Sequence, residues 1–245
     1  MKIIADLHTH TNACPHGHTT RAELITHAKM NGLCALGISE HVQAYPDGVP
    51  MSYFANMENW PRTVDGLRLL RGAESDVNDY RGLLSLQTRF MGNLDYLIAS
   101  VHRSSVLESD GLTAEHLWHG VAEIPYVDII AHPERERYRW PYSLRPVLQA
   151  FKEGDKVVEV NEACIHREEH YRTAREIVEI CGELGIPLML GTDSHYCQSV
   201  GRMNLAIALV QEVGYPEEMV INADVARLDA WLARRAEIHK AYFPR

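Results

Sequence analysis

Apolar and polar positions alternate in blocks along this chain. The recurring unit is a short apolar run rich in β-branched residues, then a loop, then an amphipathic segment. Such runs predict buried strands, and the segments between them have the apolar spacing of helices. Seven strands are predicted, at residues 2–7, 34–39, 67–73, 94–101, 127–131, 156–160 and 187–190. Helices are predicted at residues 20–31, 144–152, 171–184, 203–213 and about 222–241, the last capped by Asn222 or Asp224.

This alternation predicts an α/β fold, because continuous apolar strands separated by helices form parallel sheets that helices cover. An open sheet and a closed barrel both satisfy the pattern. The chain has 245 residues, a size that fits one large α/β barrel. It contains no internal repeat, low-complexity tract or long linker. We therefore predict a single domain spanning residues 1–245.

Residues that can bind metal follow the predicted strands. They are His8 and His10, His41, Glu74, His102, His132, and Asp193 and His195, with His16 in the first loop. Parallel strands open their carboxyl ends onto one face, where active sites of such barrels are found. Alternation along a strand also places residues i and i+2 on the same side. We therefore expect these side chains to meet in one site, with His18 as an alternative to His16.

Imidazole and carboxylate ligands without thiolate suit zinc, manganese or iron. Their number exceeds what one ion needs, so two or three divalent ions are predicted, with zinc ranked first. The five cysteines form no Cys-x-x-Cys pair, which disfavours both a disulfide framework and a thiolate zinc site.

The formal net charge of −9, without clustered Lys and Arg, argues against binding of duplex nucleic acid. An acidic balance is expected where the protein must neutralise several dications. No stretch approaches the roughly 18 consecutive apolar residues of a membrane helix, and the N-terminus shows no signal-peptide pattern. These features predict a cytoplasmic protein without membrane partners. The oligomeric state stays open.

The nine candidate ligands, taken in order, resemble the metal ligands of the PHP (polymerase and histidinol phosphatase) phosphoesterases. Residues 59–74 resemble the trinuclear-zinc bacterial branch of that family, whereas residues 100–103 are closer to its histidinol-phosphatase branch. The resemblance implies a distorted, TIM-like (βα)7 barrel with the metal site at the C-terminal ends of the strands. It also implies three metal sites. Their ligands are His8, His10, Glu74 and Asp193 for the first, Glu74, His102 and His132 for the second, and His16, His41 and His195 for the third.

The family implies a hydrolase that cleaves phosphate monoesters of small molecules by a metal-activated hydroxide. Dications lower the pKa of bound water and neutralise phosphate oxygens. Asp193 and His195 are the candidates for proton transfer. Alternatives are a histidinol-phosphate phosphatase specifically, a phosphodiesterase or exonuclease, or a metal-binding regulatory protein.

Arginines are candidates for phosphate binding because the guanidinium group binds phosphate through paired hydrogen bonds. Four of them follow strand ends, at Arg103, Arg135, Arg137 and Arg167, and we favour Arg103 and Arg135. Ion pairing with nearby glutamates is the structural alternative for each. Residues 43–58 are a candidate lid or pocket wall.

One motif points to another enzyme class. His166, Glu169 and His170 match the His-x-x-Glu-His pattern of inverted zinc peptidases. Short patterns of this kind arise readily in a chain with 14 histidines. The segment also reads as a helix N-terminus, where acidic residues are favoured. We therefore expect His166 and His170 to serve structure rather than catalysis.

Overall fold

The computed structural model describes residues 1–43, 48–102, 105–106, 111–138 and 140–244. Its strands form two sheets. The first sheet has the order β1-β2-β4-β3 and comprises β1 (Ala5–Asp6), β2 (Ala35–Ile38), β3 (Thr63–Val64) and β4 (Leu67–Arg71). The second keeps chain order and comprises β5 (Glu74–Asp76), β6 (Ile98–Ser100), β7 (Ile129–Ile130), β8 (Val157–Asn161) and β9 (Leu188–Gly191). All pairings are parallel except the β3–β4 pair.

Isolated parallel bridges join the two sheets at both ends. His41, after β2, pairs with Glu74 of β5, and Thr9, after β1, pairs with Ser194, after β9. The strand predicted at residues 67–73 corresponds to β4, which pairs with β2, whereas β3 and β5 were not predicted as strands. β5 begins at Glu74 and pairs with β6 in the second sheet. The prediction of an α/β fold with parallel strands is confirmed. Closure of both sheets into one (βα)7 barrel stays a prediction.

Eight α-helices are present in the described ranges. They are α1 (Arg21–Met30), α2 (Met51–Asn56), α3 (Ala114–Ala122), α4 (Glu134–Arg137), α5 (Leu144–Glu153), α6 (Glu168–Leu184), α7 (Asn204–Val213) and α8 (Val225–Tyr242). The five predicted helices are all found. Asp224 caps α8 through a hydrogen bond from the Arg227 backbone N–H. The sequence pattern missed α2, α3 and α4, which have at most nine residues each.

Tyr96 fills the interior where the two sheets meet. Its hydroxyl donates a hydrogen bond to the Leu7 carbonyl at 2.5 Å. A Cβ at Gly72 would lie 2.5 Å from the ring, and a Cβ at Gly37 would collide with the hydroxyl. Both positions therefore require glycine so that the ring can lie against the strands.

A buried ion-pair network lies at the opposite ends of the strands. Arg235 of α8 contacts Asp128, which immediately precedes β7, and donates to Pro125 O at 2.6 Å. His239 Nε2 lies 2.9 Å from the same carboxylate, which also accepts the Leu97 N–H. These contacts fix α8 against the sheet. None of the described helices combines the length and apolar character that a bilayer crossing requires.

Candidate metal centre

The structure brings all nine candidate ligands together in one cluster, in which six are buried and His16, Asp193 and His195 are partly buried. Eight of them lie in β5 or just after a strand, and His16 comes from the loop after β1. Two of them, His132 and Asp193, have φ of 29° and 51°. For residues other than glycine, a backbone conformation with positive φ raises the energy of the folded state by on the order of 1–3 kcal/mol per residue. Such strained residues are found preferentially at functional sites. The surrounding fold therefore holds both side chains in a fixed direction.

Four atoms of the first group converge on a common point. Glu74 Oε2 lies 3.3 Å from both His8 Nε2 and His10 Nε2, and Asp193 Oδ1 lies 3.2 Å from His10 Nε2 and 3.6 Å from His8 Nε2. Among the described residues, none of these four atoms has a hydrogen-bond partner, although all are buried. Buried nitrogen and carboxylate oxygen atoms that face one another without well-aligned hydrogen bonds are groups that a cation would satisfy.

Glu74 also contacts the second group. Its Oε1 lies 3.1 Å from His132 Nε2 and 4.0 Å from His102 Nε2, and its Oε2 lies 2.7 Å from His41 Nδ1. One carboxylate thus lies beside ligands of the first and third groups through Oε2 and beside ligands of the second group through Oε1. This geometry fits a bridging ligand.

The third group surrounds the mouth of the cluster. The His16 ring centroid is 5.1 Å from that of His41 and 4.5 Å from that of His195. Ligand atoms of His10, His41 and His195 all lie within 4.8 Å of one another. His18 instead stacks on Tyr196 at 4.6 Å. The geometry therefore favours His16 over His18 as the loop ligand.

The electrostatics of the cluster suit cation binding. Burial, reinforced by the charge of His41, holds the pKa of His10 well below its usual value, so that its nitrogens are free to coordinate at neutral pH. Burial opposes ionisation of Glu74 and Asp193, but contacts with His41, His8 and His10 outweigh it and keep both pKa values well below the ordinary range. Burial lowers the pKa of His8 and His41, but the charges of Glu159 and Glu74 outweigh it and raise both pKa values. Neutral imidazole and ionised carboxylate are the forms that bind metal, so metal binding would release the protons of these two rings. The donor set fits a cluster of divalent ions.

Two carboxylates orient the ligands from behind. Glu159 Oε1 accepts a hydrogen bond from His8 Nδ1 at 2.8 Å, and Asp76 Oδ1 accepts one from His102 Nδ1 at 2.6 Å. Such contacts fix the ring and its tautomer and leave Nε2 for the metal. The sequence analysis gave neither residue a role. Two features of the sequence could have identified them: Glu159 is an acidic residue inside an apolar strand, and Asp76 lies two positions after the candidate ligand Glu74.

Glu40 organises the loop that carries His16. Its carboxylate accepts hydrogen bonds from the Thr11 N–H at 3.0 Å, the Cys14 thiol at 3.0 Å and the Tyr53 hydroxyl at 3.3 Å. Tyr53 belongs to α2, within the predicted lid at residues 43–58, of which residues 44–47 lie outside the described ranges. The described part of this segment is therefore tied to the metal cluster through Glu40.

A cavity of about 340 Å³ opens above the cluster. Its lining includes His16, His41, Asp193 and His195 from the ligand set, and Arg135, Arg167 and His170 from the facing loops and helices. A volume of this order accommodates a phosphate group with part of its ester. The cavity gives a substrate direct access to the candidate ligands.

The predicted phosphate-binding arginines differ in position. Arg135 lines the cavity, and its Nη1 lies 3.5 Å from His102 Nε2. Arg103 lies outside the described residues. Arg137 instead contacts the Tyr142 carbonyl at 3.2 Å and Glu176 at 3.8 Å, which indicates a structural role.

The peptidase motif does not form a site of the expected kind. Helix α6 begins at Glu168, so His166 precedes it, and His166 and Glu169 are exposed whereas His170 is buried. Within the described ranges, none of the three belongs to a group of converging metal ligands. His170 does line the cavity above the cluster, which its spacing in the sequence did not predict.

Comparisons with known proteins place this geometry in a family. The PHP domain model matches residues 6–163. Proteins named probable phosphatase match from Acetivibrio thermocellus, at 31% identity over 97% of this chain and 98% of that protein, and from Clostridium novyi, at 34% identity over the same shares. A histidinol phosphate phosphatase from Lactococcus lactis, solved with zinc, L-histidinol and phosphate, has a similar fold. Its TM-score is 0.63 at 17% identity, over 88% of this chain and 95% of that one.

The chain belongs to the PHP domain family. The family resemblance and the enzyme class predicted from the sequence, a phosphatase, are confirmed. Clusters of His, Glu and Asp suited to divalent ions are also present. The ligand assignment to individual ions, their number and their identity stay predictions.

Proposed function

We propose that this protein hydrolyses phosphate monoesters of small molecules with two or three divalent ions, zinc first among them. The observation that carries the proposal is the convergence of the buried, hydrogen-bond-free atoms of His8, His10, Glu74 and Asp193 beneath a cavity that Arg135 lines. The names of the relatives support the same reaction class. The sheet-to-sheet bridges support closure of the strands into a (βα)7 barrel around this site.

The residues that would hold the ions fall into the three groups described above. His8, His10, Glu74 and Asp193 would bind the first, Glu74, His102 and His132 the second, and His16, His41 and His195 the third. When bound, such ions activate water and neutralise the phosphate oxygens. Glu159 and Asp76 keep the His8 and His102 rings oriented toward these positions.

The remaining roles belong to side chains that face the cavity. Arg135 would bind the non-bridging phosphate oxygens, since a guanidinium group offers paired donors in a fixed plane. Asp193 and His195 lie between the cluster and the cavity and would assist movement of protons from the attacking water. His195 Nδ1 is held 2.9 Å from the Asp193 carbonyl, which leaves Nε2 for the site.

Histidinol phosphate is the specific substrate to test first. The structural neighbour was solved with L-histidinol and phosphate, and its fold resembles this chain over 88% of its length. A diesterase or exonuclease activity has less support, because the net charge is −9 and no segment of the sequence clusters Lys and Arg.

The test compares p-nitrophenyl phosphate, bis(p-nitrophenyl) phosphate and histidinol phosphate, with the purified protein before and after chelation. We expect hydrolysis of the monoesters, its loss on chelation and its return with Zn²⁺ or Mn²⁺. Faster hydrolysis of the diester would contradict the monoesterase proposal. As a second arm, replacing His8 and His10 by Ala should abolish hydrolysis and lower metal content while the circular dichroism spectrum is retained. Full metal retention by that variant would refute the ligand assignment.

A further inference from the structure

The cavity above the metal cluster has a second wall that the proposed mechanism does not use. Arg167 and His170 line it together with the candidate ligands His41, Asp193 and His195. A cavity of about 340 Å³ is small enough for a bound phosphate monoester to touch both walls. Its leaving oxygen would then face away from the ions and toward α6.

His170 has the geometry of a proton donor. The ring is buried in the first turn of α6, and its Nδ1 lies 3.2 Å from the Cys164 carbonyl oxygen. Because a carbonyl only accepts, Nδ1 carries a hydrogen and Nε2 is the nitrogen that can exchange a proton. Within the described ranges, Nε2 has no hydrogen-bond partner.

Arg167 is an uncompensated cation beside it. The neighbouring Glu168 pairs with Arg172 at 2.8 Å instead, and the described residues offer the Arg167 guanidinium no ion pair or hydrogen bond. A cation left unpaired in the lining of this cavity is complementary to a phosphate oxygen.

We propose that His170 donates the proton to the leaving oxygen of the substrate and that Arg167 is a further phosphate-binding residue, an inference that rests on the proposed phosphatase function. A water oxygen bonds to phosphorus as the phosphorus–ester oxygen bond breaks. The leaving oxygen keeps the bonding electron pair and takes the Nε2 proton of the His170 imidazolium, which leaves a neutral ring with its hydrogen on Nδ1 until solvent restores the Nε2 proton. The proton of the attacking water passes to Asp193 or His195, the groups assigned that role above. The ligand class follows from this step: phosphate esters of aliphatic alcohols, whose alkoxides leave poorly unless protonated.

The experiment compares two substrates that differ in their need for a proton. Glycerol phosphate releases an alkoxide, whereas p-nitrophenyl phosphate releases a phenolate that is stable without protonation. His170→Asn is the variant of choice, because the Asn amide can keep the hydrogen bond to the Cys164 carbonyl while removing Nε2. His170→Gln is the second variant if the first fails to fold, and metal content and thermal unfolding check both.

We expect His170→Asn to lower kcat/KM for glycerol phosphate about 100-fold or more, the range of general acid catalysis, and that for p-nitrophenyl phosphate less than about fivefold. Arg167→Ala should raise KM for both esters by about tenfold without changing their ratio. His166→Ala, the other histidine of the motif, is the matched control and should change neither.

Equal losses on both substrates, or no loss on either, would overturn the role of His170. An unchanged KM in Arg167→Ala would overturn the second binding residue. A wild-type protein that hydrolyses neither ester with Zn²⁺ or Mn²⁺ restored would instead overturn the proposed function itself, and the inference with it.

Discussion

Replacement of Glu159 by Gln tests whether the fold orients the metal ligands as the structure indicates. The Glu159 carboxylate accepts three hydrogen bonds, from His8 Nδ1 at 2.8 Å, the His132 backbone N–H at 2.9 Å and the Asn161 amide at 3.1 Å. Glutamine has nearly the same shape but only one acceptor oxygen. If the glutamine oxygen accepts from His8, the glutamine NH2 group lies against the His132 N–H and the Asn161 amide, which are both donors. If the oxygen instead accepts from those two donors, His8 Nδ1 loses its acceptor.

The magnitude follows from the bond that is lost. A buried hydrogen bond to a charged group contributes about 1.5–3 kcal/mol. Each factor of ten in affinity corresponds to about 1.4 kcal/mol, so metal affinity should fall about 10- to 100-fold, the range found for residues behind metal ligands. The fold should survive, since no volume is lost.

The assay is a competition between the protein and a chromogenic zinc chelator, with thermal unfolding of the metal-free protein as the check on folding. Glu162→Gln is the matched control. Its carboxylate accepts hydrogen bonds from the backbone N–H groups of Leu205 and Ala206 at the start of α7, and among the described residues no hydrogen bond or ion pair joins it to a candidate ligand. Zinc affinity in Glu159→Gln that stays within twofold of wild type would refute the orienting role.

Three further predictions concern other parts of the molecule. Arg135→Ala should raise KM for a phosphate monoester about tenfold or more with metal content unchanged. Arg137→Lys, in the same helix, is the control and should leave KM unchanged. Equal KM values for the two variants in steady-state kinetics would contradict the role of Arg135. Arg235→Met should lower the free energy of unfolding by about 3–5 kcal/mol, because it leaves the buried Asp128 carboxylate without its cation; urea unfolding with an unchanged midpoint would contradict this. Burial and, after it, the charge of Arg235 lower the pKa of Lys156 in the folded protein to about 8, from 10.5 in the unfolded chain. Between these two pH values the Lys156 amine is protonated in the unfolded chain and neutral in the folded one. Wild-type stability should therefore rise with pH across that window by up to about 3 kcal/mol relative to Lys156→Met, and parallel pH profiles would contradict the assignment.

The sequence predicted seven of the nine strands, because most of these are short apolar runs, and the five longest helices, of which α5 and α6 have clear apolar faces. It missed α2, α3 and α4 and the strands β3 and β5, all of which are short, and so also the transfer of the chain from the first sheet to the second. That transfer occurs at Gly72, where the Tyr96 ring occupies the space of a side chain. A contact between residues 24 positions apart leaves no periodic trace in the sequence.

The candidate ligands were predictable for a related reason. Residues at the ends of parallel strands meet on one face whatever the detailed packing, so their type and order were enough. The partners behind them were not predictable, since the Glu159 contact with His8 depends on how two distant strands are placed. His170 was expected to be structural, yet the turn before α6 places it in the cavity wall.

Metal content measured together with activity tests the central claim most directly. The purified protein would be analysed for zinc, manganese and iron, stripped with a chelator, and titrated with Zn²⁺ or Mn²⁺ while p-nitrophenyl phosphate hydrolysis is followed. Two or three ions per chain, with activity lost on stripping and regained as those equivalents return, is the predicted result. One ion or none, with no hydrolysis at any metal concentration, would contradict the account of this cluster as a multinuclear phosphatase centre.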